Sequence, residues 1–180
     1  MVPSHTENRG TLTAEPISLR EIREGDLDLL RQHRNDPGTR VWLEDASEVL
    51  AAQQLHWFRN GGGTHLRIAL ATEVEVGLAR LSHDAATRVS MVGLDIFKPF
   101  RGRGLARPVF RHICEKAIAA GVRCLTLWVF WDNLPAVRVY RAEGFVLDEG
   151  EPPKWLIRQF PNERAPAPHT YVKMIRPVQT

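Results

Sequence analysis

Cysteine is scarce: Cys114 and Cys124 are the only two in 180 residues. Both lie in apolar patterns, so they read as buried free thiols. They form neither a disulfide framework nor a metal-ligand spacing, and no metal is expected. Long apolar runs are also missing, and nothing approaches the ~18 residues of a membrane span. The first stretch, 1–15, lacks the apolar centre of a secretory signal and reads as a flexible N-terminal tail. A soluble cytoplasmic protein is the expectation. Charge of one sign is lacking too. Lys and Arg number 24 against 21 Asp and Glu, a net charge of +3. Nucleic-acid binding usually shows a clustered basic face, and here the positive residues are scattered. The exception is Arg101, Arg103 and Arg107, a cluster that suits a phosphorylated small molecule.

That cluster belongs to the most informative stretch, Leu94 to Ala106, LDIFKPFRGRGLA. It opens with strand-like alternation, turns through Pro99, Gly102 and Gly104, and closes on a helical pattern. A glycine-rich turn between strand and helix lets an anion approach unpaired backbone N–H groups and the positive end of the helix dipole. The dinucleotide fingerprint G-x-G-x-x-G fails, because Arg107 stands at its third glycine. The triphosphate loop G-x-x-x-x-G-K-[ST] is absent. What is there is R-x-x-G-x-A, filled by Arg101, Gly104 and Ala106.

Along the chain, Ile17 to Ile22 reads as a strand, and Asp26 as the cap of a helix running to about Asn35. Ser47 is the expected cap of a second helix, to Asn60. Three strands follow, Leu66–Leu70, Val74–Ser82 and Arg88–Phe97, with short turns that predict an antiparallel meander. Leu105, Val109, Phe110, Ile113, Ala117 and Ile118 form a helical stripe that Gly121 ends. Val122 to Phe130 reads as a central strand. A helix from Leu134 to Glu143 follows, capped by Asn133 and closed by Gly144. Phe145–Leu147 and Thr170–Ile175 read as strands. Glu149 to His169, rich in proline and charge, reads as a long loop.

The unit Val89–Leu147 resembles the coenzyme-binding half of the GCN5-related N-acetyltransferases. The resemblance rests on Arg101, Gly104 and Ala106, then Asn133, and then the A-x-x-x-Y-x-x-x-G-F ending at Ala136, Tyr140, Gly144 and Phe145. Arg34-Asn35-Asp36-Pro37, Arg40 and His56-Trp57-Phe58 are similar to two members of that family. One acetylates N-terminal amines of ribosomal proteins, the other amino sugars carried on nucleotides.

The resemblance implies a mixed α/β acyl-CoA N-acyltransferase fold: a mostly antiparallel twisted sheet of about six or seven strands with about four helices. One domain would span 16–177, with an acceptor half at 16–87, an acetyl-CoA unit at 88–148, and a loop and last strand at 149–177. It implies attack of a primary amine on the thioester of acetyl-CoA, the co-substrate. Ile96, Phe97, Lys98, Arg101, Gly102, Arg103, Gly104, Leu105, Ala106, Asn133 and Tyr140 would contact the coenzyme. Tyr140 and Asn133 would serve catalysis, Tyr140 as leaving-group acid. A backbone N–H near Ile96–Phe97 would polarise the acetyl carbonyl. Asp95 and His56 are base candidates, with Glu44, Asp45 and Glu48 behind them. Arg34, Asn35, Arg40, Glu44 and His56 would face the acceptor. That acceptor is expected to be a small amine or amino sugar, or alternatively a peptide N-terminus. No nucleic-acid or membrane partner is expected, and the protein would be a monomer or homodimer. The rival of another class is a non-catalytic acyl-CoA-binding module, which would need neither Asn133 nor Tyr140.

Overall fold

Strands β1 (Ile17–Glu21), β2 (Leu66–Ala71), β3 (Val74–Asp84) and β4 (Val89–Ile96) make an antiparallel succession in which each pairs with the next. The computed structural model describes residues 16–160 and 163–178, so the expected tail at 1–15 lies outside the described residues. Strands β5 (Cys124–Phe130), β6 (Val146–Leu147), β7 (Lys154–Arg158) and β8 (Ala167–Pro177) complete one sheet in the order β1-β2-β3-β4-β5-β8-β6, with β7 alongside β8. Among the described strands only the β4–β5 contact is parallel. The helices are α1 (Leu27–Asn35), α2 (Pro37–Arg40), α3 (Ala51–Arg59), α4 (Ala106–Ala119) and α5 (Leu134–Ala142). None of the described helices is long and apolar enough to cross a membrane.

The sheet is covered on both faces. On one, Val109, Phe110, Ile113, Cys114 and Ala117 of α4 share a core with Val92, Leu125 and Leu127, joined by Val137 and Tyr140 of α5. These α4 residues are the helical stripe read from the sequence, and Phe110 is wholly buried. Truncating such a phenylalanine to alanine typically costs ~3–5 kcal/mol. On the other face Leu30 of α1 meets Leu66, Ile68, Leu70, Leu78 and Phe97, with Trp57 of α3 against them. The alternation of β2 serves both: Ile68 faces one core and Ala69 the other.

Three expectations are corrected. The stretch 149–169 is not one loop, because it contains β7 and the start of β8. Pro152 and Pro153 precede β7, and its large apolar residues, Trp155 and Ile157, stand out in solvent at 65% and 60% exposure. An edge strand whose apolar residues face outward does not read as a half-buried strand. The second helix begins at Ala51, not at Ser47. The Asp45 carboxylate accepts the Ser47 N–H at 2.9 Å, and Asn35 clamps Val49 through both its amide atoms, so 45–49 is held out of a helix. Asp26 precedes α1 but makes no side-chain cap to it. Its carboxylate takes the Arg23 N–H and the Arg20 guanidinium instead.

Candidate active site

The parallel strands β4 and β5 pair over three positions only, Val89, Ser90 and Met91 against Cys124, Leu125 and Thr126. Beyond Met91, β4 stays on β3 to Ile96, while β5 stays on β8 to Phe130. The sheet therefore opens between the carboxyl ends of its two parallel strands, the crevice where open α/β sheets take ligands. Backbone groups of β4 on that side lose their neighbour. Successive N–H groups alternate in direction along a strand. Phe97 N–H donates to the Val76 carbonyl on β3 at 2.9 Å. The alternation then turns the Ile96 N–H toward the opening. Of the two residues expected to carry the carbonyl-polarising N–H, Phe97 is committed to β3 and Ile96 remains. Gly77 lets β3 and β4 lie close here, since a Cβ on it would come within 2.6 Å of the Asp95 carbonyl oxygen.

Below the opening, the chain passes through a single 3-10 turn, Lys98–Phe100, into the glycine loop and α4. Gly102 and Gly104 take φ of +75° and +78°, which L side chains rarely adopt. Among the described residues, no carbonyl or side chain accepts the N–H groups of residues 102–107, and Pro108 has none to offer. Leu105 precedes α4 without a side-chain cap, and Val109 is the first residue bonded back, to the Leu105 carbonyl at 3.1 Å. A row of free N–H groups at the positive end of a 14-residue helix is an anion cradle.

The basic cluster divides. Arg101 donates to the Ile96 carbonyl at 3.0 Å and the Thr39 hydroxyl at 2.7 Å. Lys98 pairs with Asp36 at 2.9 Å. Both tie the loop to α2 and to the residue before it. Arg107 turns away to Glu143 at 2.7 Å, where Arg111 joins it at 3.0 Å. Arg103 lies over the Phe100 ring and has no acidic partner among the described residues. Of the expected side-chain phosphate contacts, Arg103 is thus the available one.

Across the opening, Tyr140 is buried between Phe110 and Phe145. Its hydroxyl has no hydrogen-bond partner among the described residues. Burial pushes its pKa well above the ordinary tyrosine value, and Asp95 pushes it further, while Arg80 opposes both. Asp95 is bound by Arg80 at 2.9 Å, so the expected base is an ion-paired residue. Asn133 caps α5 by accepting the Ala136 N–H at 3.4 Å, and no acceptor among the described residues takes its amide N–H₂.

The residues expected to face the acceptor are brought together less completely. Arg34 lies 3.7 Å from Asp45, and one of its terminal nitrogens is buried without a partner. Arg40 lies 4.0 Å from Glu48, and Glu44 pairs with Lys154 at 2.8 Å. Asn35 is spent on Val49. His56 is exposed on α3 with Asn60 of the same helix end nearby, and no hydrogen bond or ring contact joins it to Asp95 or Tyr140. Three residues escaped the sequence reading. Arg80 carries no motif, and only the β3–β4 register sets it diagonally across from Asp95. Arg158 lay in the presumed loop. His33 of α1 is buried edge-on to Phe97 with its Nε2 unpartnered, and no motif marks it.

The sequence profile of the acetyltransferase (GNAT) family matches residues 27–145, from the start of α1 to the end of the Gly144-Phe145 pair. The chain belongs to that family. It is an N-acetyltransferase with the loop, opening and tyrosine described above. The fold is similar to that of spermidine N-acetyltransferase from Vibrio cholerae, solved in complex with CoA and spermine. The TM-score is 0.72 at 18% identity, over 89% of this chain and 95% of that one. It is also similar to ribosomal-protein-alanine N-acetyltransferase from Brucella melitensis, with a TM-score of 0.67 at 17% identity over 89% of this chain and 99% of that one. At these identities the likeness is one of fold. A search of the curated proteins finds no match.

Proposed function

We propose that this acetyltransferase moves the acetyl group of acetyl-CoA directly to a primary amine on a small molecule. The observation that carries the reading is the row of free N–H groups at 102–107 beside the opening between β4 and β5. It fits a pyrophosphate below and a thin, partly polar arm passing between the strands. When bound, acetyl-CoA supplies the activated acetyl group as a thioester. The loop N–H groups and Arg103 hold the anionic end. The Asn133 amide N–H₂ is free to orient the arm while its oxygen keeps the α5 cap. The Ile96 N–H polarises the acetyl carbonyl, a role whose loss typically costs ~3–4 kcal/mol. The Tyr140 hydroxyl shares its proton with the departing sulfur. Asp95, bound to Arg80, serves to orient the polar wall of the opening rather than to take a proton. An α-amine with a pKa of ~8 is partly neutral at pH 7, and an alkylamine at ~10.4 only slightly so. After attack the extra proton on the nitrogen passes to water, and Tyr140 is reprotonated from water. Holding amine and thioester together can supply ~7–11 kcal/mol by itself.

The test is thiol release from acetyl-CoA over a panel of primary amines. Amine-dependent release, absent without protein, is the expected result. Tight coenzyme binding with no amine-dependent release would leave only the non-catalytic binding module.

A further inference from the structure

On the acceptor side, α2 and β7 flank an open cavity of about 360 Å³. Arg40, Arg158 and Gln159 supply its polar groups, and Val41, Ile157 and Pro166 are among its apolar walls; no acidic side chain among the described residues lines it. Arg158 donates to three carbonyls, those of Leu43 at 2.8 Å, Ile157 at 2.7 Å and Glu44. It forms no ion pair with a carboxylate among the described residues, and its Nε is buried without a partner among them. The nearby acids are directed elsewhere. Glu44 is on Lys154, Asp45 on Ser47 and Arg34, and Glu48 reaches only to 4.0 Å of Arg40. The protein itself closes off that Nε, so an anion in the cavity is met by the charge of the guanidinium and by the one Nη1 N–H its carbonyl partners leave over.

The cavity lies beside the carboxyl end of β5. The Arg158 guanidinium lies 5.6 Å from the centre of the Phe130 ring, at the carboxyl end of β5. Phe130 packs on Tyr171 of β8, ring centroids 4.9 Å apart. Phe130 therefore joins the Arg158 of the cavity to the strand that borders the opening.

We infer that the acceptor amine carries an anionic group, a carboxylate or a phosphate, which Arg158 and Arg40 bind in this cavity. This rests on the acetyl-transfer reading and adds the chemical class of the acceptor. A polyamine would bring cationic groups to two guanidiniums whose one ion-pair partner among the described residues is Glu48, 4.0 Å from Arg40, so the cavity selects against it.

The test compares matched amines. γ-Aminobutyrate is set against n-butylamine, glucosamine 6-phosphate against glucosamine, and spermidine is the polycation. The two pairs distinguish carboxylate from phosphate. The anionic member of at least one pair should have kcat/KM at least tenfold above its neutral partner, with spermidine poorest. Arg158→Gln should collapse that ratio, and so should Arg40→Gln if the first variant does not fold. A ratio within one variant is insensitive to its overall activity. Calorimetric binding of the same amines to the coenzyme A complex reads the cavity without turnover. Discrimination in binding with no turnover on any amine overturns the acetyl-transfer reading, and with it the acceptor role, while the anion site at Arg158 and Arg40 stands. Turnover or binding that ignores the anion, or prefers spermidine, overturns this inference.

Discussion

Tyr140→Phe separates chemistry from packing at the residue where the two are most easily confused. The ring fills space between Phe110 and Phe145, and phenylalanine keeps that contact. The hydroxyl has no hydrogen-bond partner among the described residues, so its removal leaves nothing unsatisfied. The thermal midpoint should therefore stay level or rise. Coenzyme A affinity should barely move. Turnover should fall. An ordinary tyrosine at ~10 against a thiol near ~8.5 makes complete proton transfer uphill by about 2 kcal/mol, and burial steepens that slope. Full donation in advance is excluded, and a shared proton in the transition state remains. General acid catalysis is worth ~10²–10⁴-fold, and the mismatch points to the low end. A ~10²-fold loss is about 2.7 kcal/mol on the barrier. The assay is steady-state thiol release with an accepted amine, beside calorimetry for the coenzyme and a melting curve. The raised pKa also means that turnover should not decline through the ordinary tyrosine titration near ~10. Wild-type turnover with chemistry rate-limiting, or a large drop in melting temperature with kcat intact, would refute the argument and leave Tyr140 a core residue.

Gly104→Val places a β-branched side chain at φ +78°, so the loop must leave the conformation that exposes its N–H groups. Coenzyme A should bind at least tenfold more weakly, about 1.4 kcal/mol, and unchanged affinity in a folded variant removes the cradle. Gly77→Ala sets a Cβ 2.6 Å from the backbone oxygen of Asp95, which cannot swing aside as a side chain could. A stability loss of ~1–3 kcal/mol in denaturant unfolding is expected, with weaker coenzyme binding as Ile96 shifts; a neutral substitution refutes the close fit. His169 lies between Asp132 at 2.8 Å and Glu163 at 3.0 Å. Burial alone would lower its pKa, but the two carboxylates outweigh that and raise it above the usual value. Its stabilisation is then complete below ~6.5 and is lost as pH rises through the folded value. His169→Gln should lower the melting temperature more near pH ~6 than near pH ~9, and an equal or opposite difference counts against the raised pKa.

The parts of the fold with regular period were legible in the sequence. The meander of β2, β3 and β4, the α4 stripe, and the caps at Gly121, Asn133 and Gly144 all follow from local chemistry. So did the glycine loop, because positive φ demands glycine. What stayed hidden depends on partners far along the chain. β7 turns Trp155 and Ile157 outward, so its alternation carries the wrong sign, and only its pairing with β8 makes it a strand. The residues before α3 read as helix until Asn35 and Asp45 bound their backbone. The opening between β4 and β5 is invisible in either strand alone, since both continue as good strands on their outer partners. For the same reason Asp95 could be chosen but not Arg80, and the basic cluster near the loop could be seen but not its division among Asp36, Thr39 and Glu143.

The central claim is that the acetyl group leaves the coenzyme for an amine nitrogen. Mass spectrometry of the amine after incubation with acetyl-CoA carrying an isotopically labelled acetyl group reads this directly. The account predicts one labelled acetyl per amine, in amide linkage, with free coenzyme A in equal amount. Label that stays on the bound coenzyme across the whole amine panel would contradict it.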